Sequence, residues 1–185
     1  MVYLDFEPNN TVMKNLLLFA FLLISSGIMG QGLVQKESAA FIKYTSDKIM
    51  QLLDEVSDDE LAWRPEEDVR SFGEVFAHVI SANYFFASKL GAEIPESVDM
   101  KSIEMDYDTK SELKKGLESS YALVLHTIGD ISDDGLTEMV EFPMPGDYTQ
   151  LSTILIIMSH SNEHLGQLIA YARINGIVPP WSMEE

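Results

Sequence analysis

Ile154-Leu155-Ile156-Ile157-Met158-Ser159-His160-Ser161-Asn162-Glu163-His164-Leu165-Gly166-Gln167-Leu168 is the stretch on which the reading of this chain turns. Its apolar positions, Ile154, Ile157, Met158, Leu165 and Leu168, continue through Ile169 and Tyr171 and recur at the spacing of a helix. Two histidines interrupt that stripe four residues apart, so a helix carries both imidazoles on one face, one turn above the other. A helix grips one divalent ion with two nitrogen ligands in this way, although a solvated or hydrogen-bonded histidine pair fits the local spacing as well. Gln167, seven residues after His160, falls on the same face.

Working outward, the helix spans about 151–175 and ends before Gly176 and Pro179-Pro180. Three earlier segments share its period. The first, about 36–55, places Phe41, Thr45, Ile49, Leu52 and Leu53 in a stripe that continues to Val56, with Tyr44 beside it. The second opens at the capping box Ser71-Phe72-Gly73-Glu74 and carries Val75, Phe76, Val79, Ile80, Phe85, Phe86 and Leu90 up to Gly91. The third opens at Thr109-Lys110-Ser111-Glu112 and carries Leu113, Leu117, Tyr121, Val124, Leu125 and Ile128. Another capping box, Ser57-Asp58-Asp59-Glu60, begins a single turn that Pro65 forbids from extending.

Four amphipathic helices without a convincing strand predict an all-α protein, an antiparallel-type four-helix bundle. The connections after the second and third helices, 93–108 and 130–150, are long enough to cross it. Loops of the first kind often lie over a site. Glu141-Phe142-Pro143-Met144 in the second reads as a short extended piece.

The N-terminus stands apart. Lys14 precedes the unbroken apolar run Leu16 to Ile24, and small residues follow at Ser25-Ser26-Gly27 and Gly30-Gln31-Gly32. This is the pattern of a secretory signal peptide, and the run is too short to span a bilayer as a helix. Residues 1–32 are therefore expected to be an over-extended start plus a cleavable signal, with Met13 as the true initiator and cleavage after Gly27, Gly30 or Gly32. Residues 33–185 form the domain, exported to the periplasm or beyond and with no stable membrane insertion after processing.

Composition narrows the function. There is no cysteine, which excludes disulfides, thiolate metal sites and a cysteine nucleophile. Thirty acidic residues against 12 basic ones give a net charge of −18, so nucleic acid and anionic membranes are poor partners. The acid is spread along the chain as solvated faces.

His78 lies in the middle of the second helix, on the side that carries Phe85, and so faces inward. One inward histidine is most often a hydrogen-bonded core residue. If the second and fourth helices are neighbours, however, His78, His160 and His164 meet. Three neutral imidazoles with an open position make the plan of a metal that keeps a water. His126 lies off its stripe and reads as a surface or boundary residue. His160-x-x-Glu163-His164 also matches the motif of inverted zinc peptidases, but too little chain follows to supply their third ligand, and Glu163 points to one side of His160.

Trp63-Arg64-Pro65, Ser71-Phe72-Gly73-Glu74-Val75-Phe76-Ala77-His78-Val79 and His160 through Leu168 together resemble the DinB-like superfamily of bacterial four-helix-bundle proteins. The resemblance covers essentially all of the chain after the apolar N-terminal run. It implies that His78, His160 and His164 are the ligands of one divalent transition metal, zinc or nickel. It departs at Leu165, where the family pattern has arginine. Relatives in that family include thiol-dependent S-transferases and a maleylpyruvate isomerase, so the resemblance carries fold and metal better than substrate. It also implies a homodimer.

The expectation is a metal-dependent hydrolase or transferase acting on a small molecule through an activated water or substrate nucleophile. No other nucleophile with a base stands out, so no further catalytic residue is assigned. Gln167 and Tyr44 are the candidates for orienting substrate, and Glu74 and Glu163 are candidates for holding the imidazoles. The alternative is a non-catalytic secreted bundle that binds metal or ligand or serves assembly.

Overall fold

A computed structural model describes residues 32–182. The signal peptide, the start at Met13 and the cleavage positions concern residues outside that range. Among the described residues no helix is long and apolar enough to cross a membrane.

Among the described residues the fold is all-α apart from one small hairpin. Four long helices supply most of it: α1 (Leu33–Glu55), α3 (Phe72–Lys89), α5 (Lys110–Asp130) and α6 (Gln150–Ile174). Two single-turn helices lie in the connections, α2 (Asp58–Leu61) and α4 (Ile103–Asp106). The capping boxes expected at Ser57, Ser71 and Thr109 form as read, each hydroxyl accepting from the backbone N–H three residues on. Thr149 caps α6 in the same way, using Ser152.

The core stripe of α1 runs through Ile42, Ile49, Leu52 and Leu53, all fully buried. Phe41 was expected in that stripe, but it is 45% exposed. Ile42 stands seven residues before Ile49 and therefore on its face, whereas Phe41 is turned about 100° away.

Helix directions follow from the side-chain pairs. Asp54 meets Lys114 while Gln35 meets Ile131 and Asp133, so α1 and α5 are antiparallel. Phe72 meets Tyr171 while Phe86 meets His160, so α3 and α6 are antiparallel. Asn83 bonds Ser120, Gly116 lies against Ile80, and Leu90 shares a cavity with Thr127, so α3 and α5 run parallel. This corrects the antiparallel expectation for the second and third long helices. Two parallel neighbours need a connection that returns along their whole length, and residues 90–109 provide it. Gly116 lets that connection pass close by: a Cβ there would sit 2.7 Å from both Ile80 Cδ1 and Tyr107 Cε1.

The connection between α5 and α6 holds a 3-10 turn (Gly135–Thr137) and two short antiparallel strands, β1 (Met139–Val140) and β2 (Tyr148–Thr149). The extended piece expected at Glu141 to Met144 is instead the loop between these strands, since Pro143 and Pro145 have no N–H to give a ladder. Phe142 at its base packs on Phe85, Phe86 and Tyr148.

One buried polar group links three of the long helices. Asn83 Nδ2 donates to Ser120 Oγ at 3.2 Å, and Tyr121 O–H donates to Ser161 Oγ at 3.3 Å. Burial pushes the Tyr121 hydroxyl up to about 12 despite its bonds to Ser161 and Asn83.

Candidate metal centre

The Ser71 cap fixes where α3 begins, and His78 follows two turns later with its side chain toward α6. There it meets His160 and His164. His78 Nε2 lies 3.2 Å from His160 Nε2, and His164 Nε2 lies 3.2 Å from the same atom. One ring nitrogen from each of the three falls within 4.8 Å of the others. Thus the three histidines singled out in the sequence converge.

What surrounds them decides what they can do. His78 Nδ1 lies 2.8 Å from Glu104 Oε1, and a carboxylate accepts only, so Nδ1 carries the proton. His164 Nδ1 lies 2.9 Å from Gln167 Oε1, an amide oxygen, and carries its proton too. In the neutral rings, both Nε2 atoms are then lone pairs aimed at His160 Nε2. That atom can donate to one of them and not to both. Three nitrogens with a shortage of protons between them form a site for a cation.

Burial reinforces this. It is the largest cause pulling His160 down to about 4, with the neighbouring His164, His78 and Arg70 adding to it. His164, 8% exposed, is lowered by burial in the same direction, against the Gln167 bond that raises it. Neutral imidazole is the ligand form. The 3.2 Å spacings also match the ~3.3 Å separation of two ligands at ~2.0–2.1 Å on a tetrahedral zinc. The donor set therefore fits one transition-metal ion.

Two chains of bonds hold the His78 and His164 rings, and both end on Arg70. Glu104 Oε2 accepts from Arg70 Nε at 3.2 Å, while its other oxygen serves His78. Burial alone would raise the Glu104 carboxyl, but the bond to His78 and the charge of Arg70 outweigh it and hold it below the ordinary range. On the other side, Gln167 Nε2 donates to Tyr171 O–H at 2.9 Å, and Tyr171 donates to the Arg70 carbonyl at 3.2 Å. Tyr171 is itself clamped edge-on by Trp63 and Phe72. Phe86 sets its ring edge-on to His160 at 5.5 Å between centroids.

Several sequence expectations change here. Glu74 is not the partner of His78. It caps Ser71 and pairs with Arg64 at 2.8 Å. Glu163 is exposed, whereas Gln167, not an acid, accepts from His164. Gln167 thus has both ends of its amide engaged, its oxygen by His164 Nδ1 and its nitrogen by Tyr171. Tyr44 is 59% exposed with Lys48 Nζ 4.5 Å from its ring centroid, and it does not line the cavity at the histidines. It belongs to the outer face of α1 because Ile42, Thr45 and Ile49 take the inner one. His126 is a surface residue paired with Asp130 at 3.0 Å.

Glu104 and Arg70 were not singled out in the sequence. Glu104 lies 26 residues from His78 in a segment without period. The only hint was the length of the connection, expected to lie over a site, and Met100, Lys101 and Glu104 do border the histidines.

The family model of the DinB superfamily matches residues 42–168, from α1 through the histidine pair of α6. The chain belongs to the DinB superfamily. Among solved structures the DinB fold recurs in a DinB-like protein from Bacillus cereus, with a TM-score of 0.64 and 17% identity over 75% of this chain and 90% of that one. A DinB-like protein from Bacillus subtilis aligns with a TM-score of 0.61 and 15% identity over 77% and 94% of the two chains. A conserved protein from Enterococcus faecalis gives 0.60 and 15% over 75% and 94%. At such identities the likeness is one of fold. No curated protein sequence matches the chain. Leu165, where the resemblance implies arginine, is 7% exposed and packs in the core, while Arg70 brings a positive charge to bear on His160 and His164.

Proposed function

We propose that this DinB-superfamily chain is an exported metal-dependent enzyme, a hydrolase or transferase acting on a small molecule. His78, His160 and His164 hold the ion, zinc or nickel. The observation that carries the proposal is the convergence of three Nε2 atoms, two of which, those of His78 and His164, are left as lone pairs because Glu104 and Gln167 hold the ring protons at Nδ1. Such an ion, when bound, lowers the pKa of a bound water or of a substrate thiol or hydroxyl.

The chain's own groups do the rest. Glu104 and Gln167 fix the tautomer and tilt of His78 and His164. Partial burial keeps His160 free of a proton at neutral pH. With three protein ligands, an open position is left for water or substrate, as catalytic sites require and structural sites do not. The charge of −18 argues for a small neutral or cationic substrate over nucleic acid. The apolar run Leu16 to Ile24 supports export, and the family resemblance supports a homodimer.

Metal content of residues 33–185, measured by mass spectrometry beside a His160→Ala/His164→Ala variant, tests the reading. About one equivalent in the parent, lost in the variant, is expected. No metal in the parent after incubation with zinc or nickel would overturn it.

A further inference from the structure

A cleft of about 340 Å³ opens beside the histidines, and His78 and His160 are part of its lining. Its walls are Ala82, Phe85, Phe86 and Met100, contributed by α3 and by the crossover connection. The volume lies in the range of small-ligand pockets. A larger cavity of about 480 Å³ lies elsewhere, near His126, whose imidazole is tied to Asp130 at the surface.

Polar groups in the cleft are few. Apart from the two imidazoles, Ser81 and Lys101 are the polar side chains that line it. The Ser81 hydroxyl already donates to the Met100 carbonyl at 3.4 Å. A ligand rich in hydroxyls would therefore bury them against phenyl rings and a thioether without partners, at a cost of some kcal/mol in general for each such group. A flat apolar body meets matching walls. Phe85 and Phe86 are set at 65° to one another and are backed by Phe142, so the wall is a fixed aromatic corner.

We infer that the substrate carries an aryl or short branched-alkyl group next to its reacting, metal-facing group, and that this cleft seats it. The inference rests on the metal reading above and adds to it the class of substrate. Phe85 and Phe86 form the seat, Ala82 keeps the floor low enough for a ring, and Met100 closes the side from the crossover connection. An ion held by His78 and His160, which share this lining, would take the polar end of the molecule.

Two probes with the same metal-binding head separate the parts of this claim. Acetohydroxamate and benzohydroxamate differ only in a methyl against a phenyl group. On the zinc-loaded protein, calorimetric titration is expected to show benzohydroxamate bound on the order of tenfold more tightly, since burying the additional carbons is favourable. Ala82→Leu fills the cleft beside Phe85 and Phe86 and should erase that preference. Met100→Ala, a change at a 37% exposed position that leaves the core intact, should reduce the preference severalfold.

Equal affinity of the parent for the two probes would overturn the cleft assignment and leave the metal site standing. So would a phenyl preference that survives both substitutions. If neither hydroxamate binds the zinc-loaded protein, the open metal position fails and the cleft assignment fails with it.

Discussion

Glu104 Oε1 stands 2.8 Å from His78 Nδ1, so a residue of the crossover connection sets the orientation of an imidazole on α3. The bond ties a connection with a single helical turn to the middle of a long helix. Because α3 and α5 run parallel, the chain must travel back along the bundle between them, and it passes His78 on the way. The topology itself brings the carboxylate to the site.

Removing that carboxylate should weaken metal binding without unfolding the protein. Glu104→Ala is expected to lower zinc affinity by about 10–100-fold, the usual effect of losing a carboxylate behind a histidine ligand. Glu104→Gln keeps an acceptor and should lose less. Competition with a chromophoric chelator measures both, and unchanged helical circular dichroism separates the effect from unfolding.

The opposite chain of bonds makes a graded prediction. Gln167→Leu leaves His164 Nδ1 without its acceptor and should cost about as much affinity as Glu104→Ala. Tyr171→Phe leaves Gln167 in place and removes only the hydroxyl that steadies it, so a smaller loss is expected. The order Gln167→Leu below Tyr171→Phe below parent, read in the same competition assay, checks the direction of the chain.

Acid should destabilise the metal-free protein. His160 is held down to about 4 in the folded state, by burial first and then by His164, His78 and Arg70, against an ordinary 6.5 when unfolded. Between those values the unfolded chain binds a proton that the folded chain refuses. Stability from this group is full above about pH 6.5 and falls as pH drops toward 4, and His164 acts in the same sense. Thermal melts of the metal-free protein should show this slope, and His160→Asn should flatten it. A melting temperature independent of pH over that window would contradict the burial of these rings.

Two glycine-to-alanine changes should move stability in opposite directions. Gly166 lies exposed inside α6, with nothing within 4 Å of an added Cβ. Gly166→Ala should stabilise by about 0.5–1 kcal/mol through helix propensity. Gly116→Ala gains the same propensity but drives a methyl to 2.7 Å from the buried Ile80 and from the Tyr107 ring. Overpacking of this kind costs about 1–3 kcal/mol, so a net loss is expected in denaturant titrations.

The parts of this architecture that depend on period were open to reading from residues alone. Three capping boxes placed the starts of α2, α3 and α5, and the spacing of His160 and His164 set both on one helix face. Direction was not readable in this way, because a stripe has the same period whichever way its helix runs. Direction shows in the order of the contacts: Ile80–Gly116 and Asn83–Ser120 advance together, so α3 is parallel to α5, whereas Phe72–Tyr171 and Phe86–His160 advance in opposite senses, so α3 is antiparallel to α6. Phe41 misled because it is large and apolar, yet Ile42 beside it keeps the seven-residue step to Ile49. Two-residue strands such as Met139–Val140 are too short for any alternation to show.

The site divides along the same line. Its histidines lie on regular helices and were identified by spacing. Glu104 sits on a single turn whose position depends on the crossover, and Arg70 acts through its backbone carbonyl as well as its side chain. Neither has a local signal. The Gln167 amide was placed on the right face, but its partner, the Nδ1 of His164, follows only from the tilt of that ring.

X-ray absorption at the zinc edge of the loaded protein tests the central claim most directly. The account predicts three imidazole nitrogens at about 2.0 Å with at least one further light atom that exchanges for a hydroxamate, and two imidazoles after His78→Ala. A spectrum with fewer than two imidazoles in the parent, or one that His78→Ala leaves unchanged, would contradict it.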